Sequence, residues 1–371
     1  MELSYWEYKT WLTNVDFTIV GSGIVGLNCA LRLRERFPKA KILILEKGFL
    51  PQGASTKNAG FACFGSISEI LADLDIHSEQ EVIELVAQRW KGIQKLRKNL
   101  GDKAMDFQVN GGHELFPDAA QELYQKCVQK QSEINALLHP IFKADAFHGS
   151  PNTFGFKGIK ENYITHRFEG QLDTGKMMNG LLKLVQQAGI TILNSITVEH
   201  FSADLSSVKI KTNRFEFSSE KMLIATNGFA PQLIGEEVKP ARAQVLITKP
   251  IENLPLKGTF HFDEGYYYFR NIDNRVLFGG GRNLDFKGEE TDRFGNSQVI
   301  QTHLDKLLKE VILPDTPFTI DYTWSGIMGT GMQKKPIVKQ LSENMYCGVR
   351  LGGMGIAIGS TIGNNLADLL E

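Results

Sequence analysis

The chain has 371 residues and sets 41 Lys and Arg against 42 Asp and Glu, enough material for two domains and a large core, with no charge excess to draw it to nucleic acid or an anionic membrane. No apolar run approaches the roughly 20 residues of a bilayer-spanning helix, and the charged start MELSYWEYKTW lacks a signal core, so a soluble cytoplasmic protein is expected. Cys29, Cys63, Cys127 and Cys347 are scattered without paired spacing, which argues against both a disulfide framework and a metal site.

The first segment, VDFTIVGSGIVGLNCALRLRERF, predicts a buried strand, a glycine turn and a helix whose apolar side is Leu27, Ala30, Leu31 and Leu33. KAKILILEK then gives a second strand, apolar on both faces from Ile42 to Leu45. Gly21, Gly23 and Gly26 fit G-x-G-x-x-G: a tight turn, a backbone that a pyrophosphate can approach, and a helix packed close to the sheet. Ser22, Ile24 and Val25, between those glycines, lie where a helix N-terminus offers free N–H groups and a positive dipole end to a phosphate. Glu46 stands twenty residues past Gly26 and is followed by Lys47; a carboxylate there accepts from a ribose 2′-OH and repels a 2′-phosphate. An unphosphorylated adenosine dinucleotide, NAD or FAD, is therefore predicted.

GASTKNAGFACFGS, residues 53–66, is a long small-residue loop. It reads either as a plain turn or as backbone laid against a large flat ligand. In the second case Ala54, Ser55 and Thr56 adjoin the phosphate side, Lys57 and Asn58 are polar handles, and Ala59 and Gly60 are small enough for a ring system to lie close. Cys63 is either inert or at the border of a substrate cavity. Residues 68–100 read as helical, with Arg89, Lys91, Lys95, Arg97 and Lys98 assigned to a solvated face. From residue 101 to 168 the pattern is strands around one helix, and DTGKMMNGLLKLVQQAGITIL returns to an amphipathic helix capped by Asp173 or Thr174 and closed by Gly189.

Lys-Asn-Ala-Gly after Gly-Ala-Ser resembles the second flavin-contact motif of the D-amino-acid-oxidase-like superfamily of FAD-dependent amine oxidoreductases, which includes glycine, sarcosine and γ-glutamylputrescine oxidases. KMLIATNGFAPQL, GYYYFRNIDNRVLFGGGRN and MYCGVRLGGMGIAIGSTIGNNLADLL resemble further segments of that family, in family order. The resemblance implies an α/β chain (α+β overall), with a Rossmann-like FAD-binding domain of the glutathione-reductase type from residues 1–100, 169–236 and 321–371. A second, substrate-binding domain with a mixed, mainly antiparallel β-sheet would come from 101–168 and 237–320. It also implies FAD contacts from Val198, from Ala225, Thr226, Asn227 and Gly228, and from Arg350, Gly352, Gly353, Met354 and Gly355. Backbone N–H groups from Leu351 to Gly355 would stabilise charge on the reduced flavin. The positions where some relatives attach flavin covalently hold neither His nor Cys, so noncovalent FAD is expected.

The activity implied is oxidation of a C–N bond in a small amine or amino acid by hydride transfer to flavin N5, with O2 or another carrier as electron acceptor and no metal. Candidate site residues are Tyr268 of the hairpin, where Tyr266 and Tyr268 share one face and Tyr267 and Phe269 the other; Arg270, as carboxylate ligand or structural ion pair; His166; and Arg350. Amino-acid oxidases of the family carry a carboxylate-gripping arginine where this chain has Met328, which points away from a simple α-amino acid held in the usual way and toward a larger or carboxylate-free amine; sarcosine-oxidase-like members carry an oxygen-activating lysine where Leu277 and Phe278 stand. Oxidase and dehydrogenase chemistry both stay open. So do a 2-hydroxy-acid flavoprotein using Arg270 and His166, and a non-catalytic flavin-binding protein.

Overall fold

The computed structural model describes residues 3–370. Val15–Val20, apolar and almost wholly buried, is the centre of a first sheet, paired in parallel with Ile42–Glu46 on one side and Glu216–Ile224 on the other. The order runs Ile337–Ser342, Met345–Val349, Glu216–Ile224, Val15–Val20, Ile42–Glu46, Thr191–Asn194, and Val198–Ala203 with Val208–Thr212 extends it from Glu216–Ile224.

Helix Ile24–Arg36 leaves the glycine turn and packs beside helix Gly355–Asp368, where a side chain at Gly26 or Gly363 would overlap backbone. The predicted helical stretch is two helices, Ile67–Leu74 and Glu79–Leu100, each opened by a capping box, Ser66 with Glu69 and Ser78 with Glu81. Glu79–Leu100 lies on Gly355–Asp368, and Ser360 Oγ donates to the Gly92 carbonyl at 2.6 Å. Thr174–Gln187 is capped by Asp173 as expected, and Gly189 takes the left-handed conformation (φ +68°) that ends it.

The second sheet has eight strands in the order Ile320–Thr330, Lys239–Thr248, Arg275–Gly280, Tyr267–Ile272, Thr259–Phe262, Gly112–Leu115, Asn162–His166, Phe147–Pro151. All its pairs are antiparallel except Thr259–Phe262 with Gly112–Leu115. Its own core is aromatic: Phe260 and Phe269 stack at 4.7 Å, with Phe156 and Phe278 edge-on. Two expectations about boundaries need correction. Ile320–Thr330 pairs along its length with Lys239–Thr248, so the chain returns to the first sheet only at Ile337 and not at 321. Helix Gln121–Phe142, inside the predicted second segment, buries Ile134, Leu138 and Phe142 in the core of the first unit.

Candidate active site

The carboxyl ends of the parallel strands open into a cavity of about 560 Å³ that the second sheet closes from above. At one end Gly21 has φ +104°, and a Cβ there would lie 2.9 Å from the Ala225 carbonyl, so only glycine makes this turn. Gly23 caps helix Ile24–Arg36 without any side-chain bond, and the Ile24 N–H donates to Ser55 Oγ at 3.0 Å. Thr226 Oγ1, also on the cavity, is buried without a hydrogen-bond partner.

Glu46 borders this end, but its carboxylate also organises the chain. Oε2 accepts from the Ser22 N–H and hydroxyl at 2.9 and 2.7 Å, and Oε1 from the Gly48 and Gln52 N–H groups at 3.0 and 3.2 Å. Ser22 is thus turned to Glu46 and does not line the cavity, nor does Gly26, which sits against the Gly21 carbonyl. In the small-residue loop, Ala54, Ser55, Asn58 and Ala59 line the cavity. Thr56 does not: its hydroxyl donates to the Pro51 carbonyl at 2.6 Å. Asn58 is a brace, donating to the Ala54 and Ser55 carbonyls and accepting from the Gly60 N–H and the Thr174 hydroxyl. Gly60 and Gly228 lie behind the wall, pressed against the Leu172 and Met328 carbonyls.

Val198, Ala225, Asn227 and Lys47 line the cavity along with Glu46, and Gly352, Gly353, Met354 and Gly355 line it toward its other end. The proposed run of amide donors is partly committed: Leu351 N–H binds Asn227 Oδ1, Gly352 N–H the Gly329 carbonyl, and Met354 N–H the Leu351 carbonyl. Among the described residues the Gly353 and Gly355 amides have no such backbone partner. Beside Gly352 and Gly355 an added Cβ would meet no protein atom within 4 Å. Arg350 also borders the cavity, in the left-handed region at φ +63°. Its Nε and Nη2 donate to the Lys335 carbonyl and Nη1 to that of Glu237, which commits one N–H of each nitrogen to the backbone.

Between the ends lies an aromatic chamber. Tyr266 and Tyr268 face it while Tyr267 and Phe269 enter the second core, the division the alternation of the hairpin predicts. Phe61 meets Tyr268 edge-on at 5.6 Å. Burial pushes the Tyr268 hydroxyl up to about 12, so it stays protonated and is a donor, not a base. Cys63 Sγ lies 3.5 Å from Met354 Sδ, and burial, with Glu169 and Glu69 nearby, raises its thiol well above the usual range.

On the cavity wall, edge-on to Phe61 at 5.2 Å, His261 stands 3.5 Å from Glu169. Burial opposes its charge, but Glu169, Glu69 and Glu114 outweigh that and hold its pKa above the usual value. Among the described residues no group of acids, His and Cys is arranged to hold a metal ion.

Two candidates do not reach this cavity. Arg270 is buried, and its donors go to the carbonyls of Ala59, Leu172 and Asn271. His166 is enclosed by Phe64, Phe142, Phe147 and Phe168, its Nδ1 accepting from the Phe168 N–H. Conversely, Arg89, read as part of a solvated face, is buried and lines the cavity. Its spacing from Val82, Val86, Ile93 and Leu96, all buried on one stripe, is the signal that would have placed it.

The helix start at Gly23, the partnerless Thr226 hydroxyl and the open space beside Gly352 and Gly355 are donors and room of the kind that a flavin dinucleotide takes, on a cavity that Glu46 also borders. The profile of the family described as FAD dependent oxidoreductase (DAO) matches residues 16–369. The chain belongs to this family. Among relatives of this FAD-dependent oxidoreductase are a probable oxidoreductase OrdL of Haemophilus influenzae, 22% identical over 97% of this chain and 84% of that one, and the γ-glutamylputrescine oxidoreductase of Escherichia coli, 22% identical over 96% and 83%. In structure the enzyme is similar to a glycine oxidase from Geobacillus kaustophilus, with a TM-score of 0.76 and 18% identity over 95% of this chain and 94% of that one. It is also similar to an L-proline dehydrogenase from P. horikoshii, with a TM-score of 0.74 and 16% identity over 96% and 93%. None of the enzyme's described helices is long and apolar enough to cross a membrane.

Proposed function

We propose that this FAD-dependent oxidoreductase oxidises the C–N bond of a small amine or amino acid. The observation that carries the reading is the continuity of one cavity, from the glycine turn and Glu46 to the aromatic chamber of Phe61, Tyr266 and Tyr268. When bound, FAD supplies the acceptor for a hydride from the carbon next to nitrogen. The protein's part is placement. Phe61 and Tyr268 shape an apolar chamber that excludes water and confines a small substrate, and the Tyr268 hydroxyl, protonated at neutral pH, holds a lone pair of the substrate.

The names of the relatives, γ-glutamylputrescine oxidoreductase, glycine oxidase and L-proline dehydrogenase, support an amine or amino acid over other substrates. The 2-hydroxy-acid alternative relied on Arg270 and His166, and both point away from the cavity. Where a lysine would serve oxygen activation, Leu277 packs in an apolar cluster with Ala59 and Val245, which favours an electron acceptor other than O2.

The test is anaerobic mixing of the yellow holoenzyme with separate panels of amines, amino acids and 2-hydroxy acids, following flavin absorbance. Bleaching by an amine or amino acid is expected. Bleaching by 2-hydroxy acids alone, or by nothing, overturns the reading.

A further inference from the structure

We propose that Arg89 binds a carboxylate of the substrate, so that the enzyme acts on a carboxylate-bearing amine rather than a plain one; this rests on the amine-oxidation reading above. Helix Glu79–Leu100 buries Val82, Val86, Gly92, Ile93 and Leu96, and Arg89 is the charged residue on that stripe. It is 5% exposed and lines the cavity beside Cys63 and Leu85. Nη1 donates to the Phe64 carbonyl at 2.5 Å, while Nε, buried, has no hydrogen-bond partner. Among the described residues no carboxylate lies within 4.0 Å of the guanidinium.

The carboxylates of its neighbourhood are engaged elsewhere. Glu169 accepts from the Phe64 and Gly65 N–H groups and faces His261, Glu69 accepts from the Ser66 N–H, and Glu114 accepts from Ser68. A buried guanidinium without a counter-ion is costly, and where Arg270 and Arg350 offset that cost with carbonyls at every nitrogen, Arg89 leaves its buried Nε unbonded, which a ligand carboxylate would satisfy. The planar fork matches a carboxylate, and the apolar wall of Leu85, Ile358 and Met354 strengthens that attraction by excluding water.

Other arginines are spoken for. Arg270 is spent on three carbonyls and Arg350 on two, while Arg282 lies over the Phe286 ring at 5.0 Å. Met328, where relatives would carry a guanidinium, offers the substrate no charge.

The experiment titrates the holoenzyme with sodium acetate at constant ionic strength, reading the flavin absorption spectrum and, independently, the heat of binding. Wild type is expected to bind acetate saturably. Arg89→Gln is expected to weaken it at least about tenfold, the worth of a hydrogen-bonded charge, with FAD content unchanged. Arg89→Lys, which keeps the charge and loses the fork, carries the test if Arg89→Gln does not fold, with about threefold or greater weakening expected. Unchanged acetate affinity in the variant, no acetate binding to wild type, or loss of FAD from the variant each overturns the assignment. Failure of the parent reading looks different: acetate binds through Arg89, yet no amine or amino acid bleaches the flavin. If plain amines bleach it as fast as amino acids, and Arg89→Gln changes neither rate, the assignment falls while the reading stands.

Discussion

Arg270 donates its Nε proton to the carbonyl oxygen of Ala59, pinning the hairpin of the second sheet to the loop that walls the cavity. Its Nη2 reaches the Leu172 carbonyl at 2.9 Å. Burial lowers its pKa to about 10, so it stays charged at neutral pH and its bonds stay charge-assisted. Arg270→Gln is expected to destabilise the protein by about 3–5 kcal/mol, because buried carbonyls lose their donors. Urea unfolding reads this. A variant of native stability whose only defect is a raised KM would return Arg270 to the substrate.

Glycines at two places make opposite demands. A methyl at Gly26 would press into the Gly21 carbonyl, so Gly26→Ala is expected to lower the melting temperature of apoprotein and holoprotein alike. Gly355 opens its helix with open space beside it, so Gly355→Ala is expected to leave the apoprotein as stable or up to ~1 kcal/mol more stable. Its FAD dissociation constant should rise nonetheless, as measured by quenching of flavin fluorescence. Unchanged FAD affinity would mean that the ligand does not abut this cradle.

His166 makes stability depend on pH. Burial lowers its pKa to about 4 from 6.5, so the unfolded chain binds the proton more readily than the folded one. The resulting stability is full above pH 6.5 and is lost as pH falls toward 4, up to roughly 3 kcal/mol at about 1.4 kcal/mol per unit. His166→Phe, which suits the surrounding rings, is expected to flatten melting temperature against pH over this window. An unaltered profile would assign the acid sensitivity to other groups, His113 first, since burial lowers it to about 4 as well.

Cys63 is the cysteine on the cavity wall, and its raised pKa makes it a poor nucleophile at neutral pH. Trichloroacetic acid is therefore expected to release all the flavin into the supernatant. Iodoacetamide should label Cys63 slowly in the apoprotein and more slowly still once FAD is bound. Yellow colour in the washed pellet would contradict the first expectation, and equal labelling rates the second.

The glycine turn, the two strands beside it and the split of Tyr266 and Tyr268 from Tyr267 and Phe269 were legible because each follows from local spacing of period two or 3.6. The fate of polar side chains was not. Arg270 looks like a ligand in sequence, but what it binds is backbone brought from far along the chain, the carbonyls of Ala59 and Leu172; Glu46 and Asn58 border the cavity while much of their bonding goes to backbone a few residues away. Arg89 failed the other way: grouped with four neighbouring cations by composition, it belongs by periodicity to the stripe of Val82 and Leu96. Ile320–Thr330 was assigned to the wrong sheet because register against Lys239–Thr248 is a pairing that local pattern does not encode.

The cavity takes one wall from each sheet, and this has a thermodynamic consequence. A dinucleotide spanning both walls favours only states in which both units are folded, by RT ln(1 + [L]/Kd). Cofactor concentration then sets how far the melting of the two units is coupled, and saturation turns separate transitions into a single cooperative one.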